Sequence, residues 1–134
     1  MSSFFVDSNL LIYLATTDTD KTARIKTVLN TDNTAFISVQ VLNEFTAVCF
    51  KKKLLTPEQI EKYVLEYKLY FETADVTFAT VALCFAIKEK YKYSWFDSLI
   101  ITTALQNNCT TLYSEDMQHN QIIENTLTII NPFI

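Results

Sequence analysis

Apolar positions along this chain follow two rhythms. Short runs such as SFFV (3–6), AFIS (35–38) and LTIIN (127–131) are apolar nearly throughout, the pattern of strands covered on both faces. Longer segments between them space their apolar residues three and four apart, as helices do. In chain order, SFFV predicts a strand, LLIYLA (10–15) a short helix, and residues 19–30 a second helix with Ala23, Ile25, Val28 and Leu29 inward. AFIS predicts the next strand. A helix from Val39 to Lys53 follows, with Val41, Phe45 and Val48 at i, i+4 and i+7. It ends on Lys51, Lys52 and Lys53, cations suited to the negative pole of a helix. Thr56, Pro57 and Gln59 supply an N-cap, a first-turn proline and a capping box for a helix to about Phe71. An extended piece is expected near Ala74–Val76. Thr77 caps a helix to about Lys90, and Ser94 caps another that stops at Asn107–Asn108. CTTLYS (109–114) and LTIIN complete the strands. The longest apolar run, VALCFAI (81–87), reads as a buried turn or two of helix. Strands alternating with helices predict an α/β domain with a mostly parallel sheet covered on both faces. No repeat, low-complexity tract or linker interrupts 1–134, so one domain is expected.

Composition narrows the chemistry. The chain has 134 residues, 49% hydrophobic and 19% charged, enough for one core. No apolar run approaches the eighteen or so residues of a membrane span. MSSFFVDSN lacks the basic n-region of a signal peptide. Cys49, Cys84 and Cys109 are far apart and in apolar contexts, which suggests reduced, buried thiols in a cytosolic protein. His119 is the single histidine, and no Cys/His spacing suggests zinc. Glycine is absent, which excludes phosphate-cradling glycine loops and the dinucleotide fingerprint. Positive φ is therefore expected at asparagines: Asn33, Asn107–Asn108, Asn120 and Asn131. The net charge of −4 argues against nucleic acid when taken alone, but a local basic rim can border an acidic centre.

Four acids hold the remaining interest. Asp7 follows the first strand, and Glu115–Asp116 follow TTLYS; ligands of open α/β sheets bind at such carboxyl ends. Asp7 also suits an N-cap, and Asp116 a turn. Glu44 lies on or beside the apolar stripe Val41–Phe45–Val48, where an unpaired carboxylate is expensive, unless it sits at the edge and reaches water or a lysine. Asp97 completes a Ser94-x-x-Asp97 capping pattern, yet is in phase with the core-facing Ile100, Ile101 and Ala104. Clustered carboxylates repel one another, and a hard divalent cation resolves the repulsion. Mg²⁺ or Mn²⁺ takes oxygen ligands and needs neither Cys nor His. The chemistry of such a centre is polarisation of a phosphoryl oxygen and in-line attack by hydroxide.

These residues give the chain a family likeness. FFVDSNLLIYL, ISVQVLNEF around Glu44, SWFDSLIITTALQNNC around Asp97, and TLYSEDMQHNQ followed by LTIINPF resemble, in that order and over most of the chain, a PIN-domain nuclease of the VapC toxin type. The resemblance implies a PIN-like three-layer α/β/α fold with a five-stranded parallel sheet of order 3-2-1-4-5. It implies Mg²⁺- or Mn²⁺-dependent cleavage of RNA to 5′-phosphate and 3′-hydroxyl ends. Asp7, Glu44, Asp97 and Asp116 match the acidic quartet, with Asp7 and Asp97 as the main metal ligands. Ser8 or Asn9, Ser38 and Ser114 match positions that orient carboxylates or waters. Glu115 is an additional acid of open role. It also implies a small antitoxin partner and a homodimer; crowded apolar and aromatic residues from Tyr63 to Phe71 are a place for either contact, or mark a helix buried on two sides.

An RNA substrate needs cations. Lys88, Lys90 and Lys92, interleaved with Tyr91 and Tyr93, are the better candidates, and Lys51–Lys53 the second set; solvated helix ends are the plainer reading of both. Two other functions compete. A phosphatase of haloacid-dehalogenase type needs a second Asp two residues after the first, where this chain has Asn9, and no set of residues suits a response receiver. A catalytically silent PIN-like binding domain need not keep all four acids.

Overall fold

The computed structural model describes residues 2–16 and 19–134. Its elements run β1 (Ser3–Val6), α1 (Ser8–Ala15), α2 (Thr19–Leu29), β2 (Thr34–Ser38), α3 (Val39–Lys51), α4 (Pro57–Tyr70), β3 (Glu72–Ala74), α5 (Phe78–Tyr91), α6 (Trp95–Gln106), β4 (Thr111–Tyr113), β5 (Ile122–Ile123) and β6 (Leu127–Ile130). The sheet order is β3-β2-β1-β4-β6-β5. Its first five strands are parallel neighbours, and β5 pairs antiparallel with β6. The α/β class and the parallel order expected from the sequence therefore hold, with one short antiparallel edge strand added. Strands β1, β2, β4 and β6 bury Phe5, Val6, Ile37, Leu112 and Ile129 at 0% exposure, which explains their uninterrupted apolar runs.

Local chemistry sets the helix starts. Asp7, Ser38, Thr56, Thr77 and Ser94 each cap a helix through a side-chain oxygen, and Thr56 with Gln59 closes a reciprocal capping box. The buried stripe of α3 is Val41, Phe45 and Cys49. Tyr67 of α4 packs edge-on against Phe45 and donates its hydroxyl to the Leu11 carbonyl at 2.8 Å, which ties α1, α3 and α4 together. All three cysteines are buried free thiols.

Several local expectations give way to tertiary context. Ala23 is exposed; α2 presents Ile25 to the core, with Val28 and Leu29 half-buried beside it. The third strand lies at Glu72–Ala74, earlier than the Ala74–Val76 expected, because α4 ends at Tyr70 and Phe71 already turns into the sheet. The VALCFAI run is mostly exposed: α5 buries only Thr80, Cys84 and Ile87, a narrow stripe, and leaves Leu83 and Phe85 in solvent. Among the described residues, positive φ falls at Asn108 and Asn120 as expected, but also at Lys53, Lys92, Glu124 and Asn125, and not at Asn33, Asn107 or Asn131. Glu124 and Asn125, both with positive φ, are the central residues of the turn closed by the Thr126 N–H on the Ile123 carbonyl, in a three-residue connection that folds β5 back onto β6.

Candidate active site

In the register of the parallel sheet, Val6 of β1 stands opposite Tyr113 of β4. Asp7 and Ser114 therefore leave the sheet side by side. Ser114 Oγ donates to Asp7 Oδ2 at 2.7 Å, and the Ser8 backbone N–H donates to Asp7 Oδ1 at 2.7 Å. Asp7 is thus both the cap of α1 and a member of the rim. It is 4% exposed, and burial raises its pKa to about 7 against the opposing hydrogen bonds from Ser114 and Ser8. The charges of Glu44 and Asp97 push it further up.

Glu44 sits half-buried on α3. Burial raises its pKa most, hydrogen bonds from Gln40 and Ser8 oppose the shift, and the charge of Asp97 adds to it. Gln40 Nε2 donates to Glu44 Oε2 at 3.0 Å and to the Phe96 carbonyl at 2.9 Å, so one amide links α3 to the start of α6. Asp97, next along, donates its N–H to the Ser94 cap at 3.2 Å. Burial again raises its pKa, Ser94 opposes, and the charge of Asp116 adds. Asp116 is exposed and accepts from Asn9 Nδ2 at 3.2 Å. The mutual repulsion runs Asp7 to Glu44 and Asp97, Glu44 to Asp97, and Asp97 to Asp116. Each of the four acids is thus within reach of the charge of at least one other.

The supporting residues divide. Ser114 and Asn9 touch carboxylates of the quartet, whereas Ser38 is buried and accepts from the Val41 N–H as the cap of α3. Glu115 is engaged elsewhere, accepting from Tyr13 Oη and from Lys21 Nζ, each at 2.5 Å. His119 Nδ1 accepts from the Asn131 N–H at 2.9 Å, fastening the loop before β5 to the end of β6. Lys88, Lys90 and Lys92 reach the Tyr93 carbonyl, Glu124 and Glu89 respectively. Gln40 is the residue that sequence reasoning missed. Its i,i+4 spacing to Glu44 was visible; its bond to Phe96 arises only in the folded chain.

Two clefts flank the rim. One, of about 630 Å³, is walled by Val39, Gln40, Glu44, Phe96 and Leu99 among others. The second, of about 510 Å³, is lined by Ser8, Asn9, Val48, Lys52, Glu115 and Asp116. Lys52, from the lysine set judged second in the sequence, is thus the cation beside the acids.

The donor set fits a hard divalent cation. It offers carboxylate oxygens and no thiolate or imidazole. Asn9 Oδ1 is buried with no hydrogen-bond partner among the described residues, while Asn9 Nδ2 donates to Asp116. Asp7 Oδ1 accepts from the Ser8 N–H and, at 3.4 Å, from Ser8 Oγ, while Oδ2 accepts from Ser114 Oγ and, among the described residues, keeps a second lone pair. Among the described residues, no group of three or more acidic, histidine or cysteine side chains is placed to hold a metal ion. One or two of these carboxylates, together with water, would be the ligands of such a cation.

Comparison with known proteins follows the same line. The family model described as "PIN domain" matches residues 4–124. Among solved structures, VapBC2 from Rickettsia felis, bound to a DNA fragment from its promoter, superposes with a TM-score of 0.72 at 20% identity, covering 96% of this chain and 99% of that one. A toxin–antitoxin complex from Klebsiella pneumoniae has a TM-score of 0.72 at 17% identity, with 98% of each chain covered. VapC20 from Mycobacterium tuberculosis, a toxin that cleaves the sarcin–ricin loop, has a TM-score of 0.67 at 12% identity, covering 81% of this chain and 86% of that one. No curated protein matches the chain significantly in sequence.

Proposed function

Because this chain belongs to the PIN-domain family, we propose that it is a metal-dependent endoribonuclease, the toxin of a VapBC-type pair. The observation that carries the reading is the electrostatic chain joining Asp7, Glu44, Asp97 and Asp116, with Asp7 raised to about 7. Four carboxylates held together by buried caps and hydrogen bonds are costly without a cation. Asp7 and Asp97 would hold Mg²⁺ or Mn²⁺, with Glu44 and Asp116 as the further ligands, directly or through water. Such a cation would supply Lewis-acid polarisation of the phosphoryl group and activation of the attacking water, with the 3′-oxygen as leaving group. The chain's own residues do the positioning. Ser114 and Ser8 fix the two oxygens of Asp7, Gln40 holds Glu44, and Asn9 holds Asp116. Lys52 beside the acids, with Lys88, Lys90 and Lys92 further along the α5–α6 side, supplies positive contacts for the backbone.

The partners follow from the same family reading. The Rickettsia felis and Klebsiella pneumoniae proteins stand in toxin–antitoxin assemblies, and we extend to this chain a small antitoxin and a second copy of itself as partners. Two exposed apolar faces suit them: Leu65, Leu69 and Tyr70 on α4, and Phe78, Leu83 and Phe85 on α5. No helix is long and apolar enough to cross a membrane among the described residues.

The test is the chemistry of the cut ends. Purified chain free of partners is incubated with a mixed transfer and ribosomal RNA pool and Mg²⁺. Discrete cuts bearing 5′-phosphate and 3′-hydroxyl ends are expected, and none with chelator. Cyclic 2′,3′-phosphate ends, or cuts that persist in chelator, contradict the proposal. A silent binding domain gives no cuts and no metal-dependent change in melting temperature.

A further inference from the structure

The cleft on the Phe96 side of the rim has a composition unlike the rim itself. Its walls are mostly apolar, from Val39, Ala47, Val76, Phe96 and Leu99, and Glu44 forms part of the same surface. The Phe96 ring is 62% exposed and Val39 41% exposed, so neither is used to build the core. Phe96 is also not loosely placed. Gln40 Nε2 bonds its carbonyl at 2.9 Å and Glu44 Oε2 at 3.0 Å, which sets the ring's backbone at a fixed separation from a carboxylate of the rim. The cleft volume of about 630 Å³ falls within the ~300–1,000 Å³ of small-molecule sites.

We propose that this cleft is a nucleobase subsite, which takes one unpaired base of the RNA strand cut at the neighbouring acids and stacks it on the Phe96 ring. The inference rests on the nuclease reading above and deepens it, by requiring a single-stranded or unstacked substrate at the cut. Charge selects the occupant. No lysine or arginine lines the cleft, and its charged groups are Glu44 and Asp75, so a phosphate is repelled while a neutral base is not. Asp75 and Asn43 offer acceptors to the N–H groups of a base edge. The opposite cleft differs in carrying a cation, Lys52, beside Asn9, Asp116 and a Glu115 that Lys21 already pairs, and Lys52 is the contact there for the backbone phosphate. Glu44 and Val48 lie one turn apart on α3 and Lys52 caps its end one turn further on, so a strand crossing the acids passes from the base cleft to the lysine. An aromatic face stacks on any base and is worth about tenfold in affinity.

The test uses an RNA oligonucleotide that the native chain cuts at one bond, and a series with a single abasic nucleotide at each position around it. Cleavage kcat/KM is measured for native, Phe96→Ala and Phe96→Trp chains, with sedimentation of each. The expected result is one abasic position that lowers native kcat/KM by roughly tenfold, carried mostly in KM. Phe96→Ala lowers cleavage of the intact strand by about the same factor, is indifferent to that abasic position, and is rescued by Phe96→Trp. Additive losses, or no abasic position that couples to Phe96, overturn the inference while the nuclease reading stands. If Phe96→Ala instead converts a dimer to a monomer and the losses add, the cleft is a contact between copies and the inference is wrong. A native chain that cuts no RNA with Mg²⁺ or Mn²⁺ sinks both.

Discussion

Ser114 Oγ and Asp7 Oδ2 lie 2.7 Å apart across two parallel strands that are neighbours in space but 107 residues apart in sequence. The bond is buried at both ends, and it is one of two that oppose the burial of Asp7. Charge-assisted bonds of this kind contribute about 1.5–3 kcal/mol. Ser114→Ala is therefore expected to keep the fold and to lower metal-dependent cleavage by about tenfold or more. Loss confined to a lower melting temperature, with cleavage unchanged, would make Ser114 a core residue only.

The same carboxyl makes stability depend on pH. The folded pKa of Asp7 is raised from 3.8 to about 7, so the folded chain binds this proton more tightly than the unfolded chain does. Below about pH 4 both states are protonated and Asp7 has no effect. Between about 4 and 7 the unfolded state releases the proton first, and the metal-free fold loses stability as pH rises; above about 7 the loss is complete. The contribution of Asp7 alone is on the order of 4 kcal/mol over that window. Asp7→Asn is expected to raise the melting temperature of metal-free protein at pH 8 and to have little effect near pH 4. Equal effects at both values would contradict the burial of an ionisable Asp7.

Glu115 separates from its neighbour in role. It is engaged with Tyr13 and Lys21, and Lys21 also lies over the Tyr13 and Phe133 rings. Glu115→Gln is expected to lower the melting temperature slightly, more at low salt, and to leave most cleavage intact. Asp116→Asn is expected to lower cleavage by more than tenfold. Similar losses from the two variants would return Glu115 to the metal centre.

The lysines are distinguished by salt. Lys52→Ala is expected to weaken RNA binding and to reduce the slope of log K against log salt by about one. Lys90 and Lys92 are paired with Glu124 and Glu89 in exposed positions, and such pairs exchange readily for phosphate. Their double alanine variant is expected to lower the slope by up to about two. A slope unchanged in both variants would place the strand elsewhere.

The helix starts and four of the strands were legible because their signals are local. Thr56-Pro57-x-Gln59 needs only its own turn, and LTII is apolar wherever the chain goes. The strand-end positions were legible for a related reason: parallel strands deliver their carboxyl ends to one edge, so Asp7 emerges beside Ser114, two residues before Asp116, without any knowledge of side chains. What depends on a distant partner was not. Strand β5 has two residues and a reversal through Glu124, a residue with no preference for positive φ, and β6 alone makes it a strand. VALCFAI is as apolar as a core helix, yet α5 covers only one stripe of itself, and nothing within seven residues reports that. The link from Gln40 to Phe96 joins positions 56 apart and needed the packed chain.

The most direct measurement is cleavage of end-labelled RNA by the native chain and by Asp97→Asn, side by side, across a Mn²⁺ titration. The account predicts cuts that rise with Mn²⁺ for the native chain, vanish with chelator, and fall by at least two orders of magnitude in the variant at every metal concentration. Equal cutting by the two chains, or cutting indifferent to Mn²⁺, would contradict a metal centre built on the four acids.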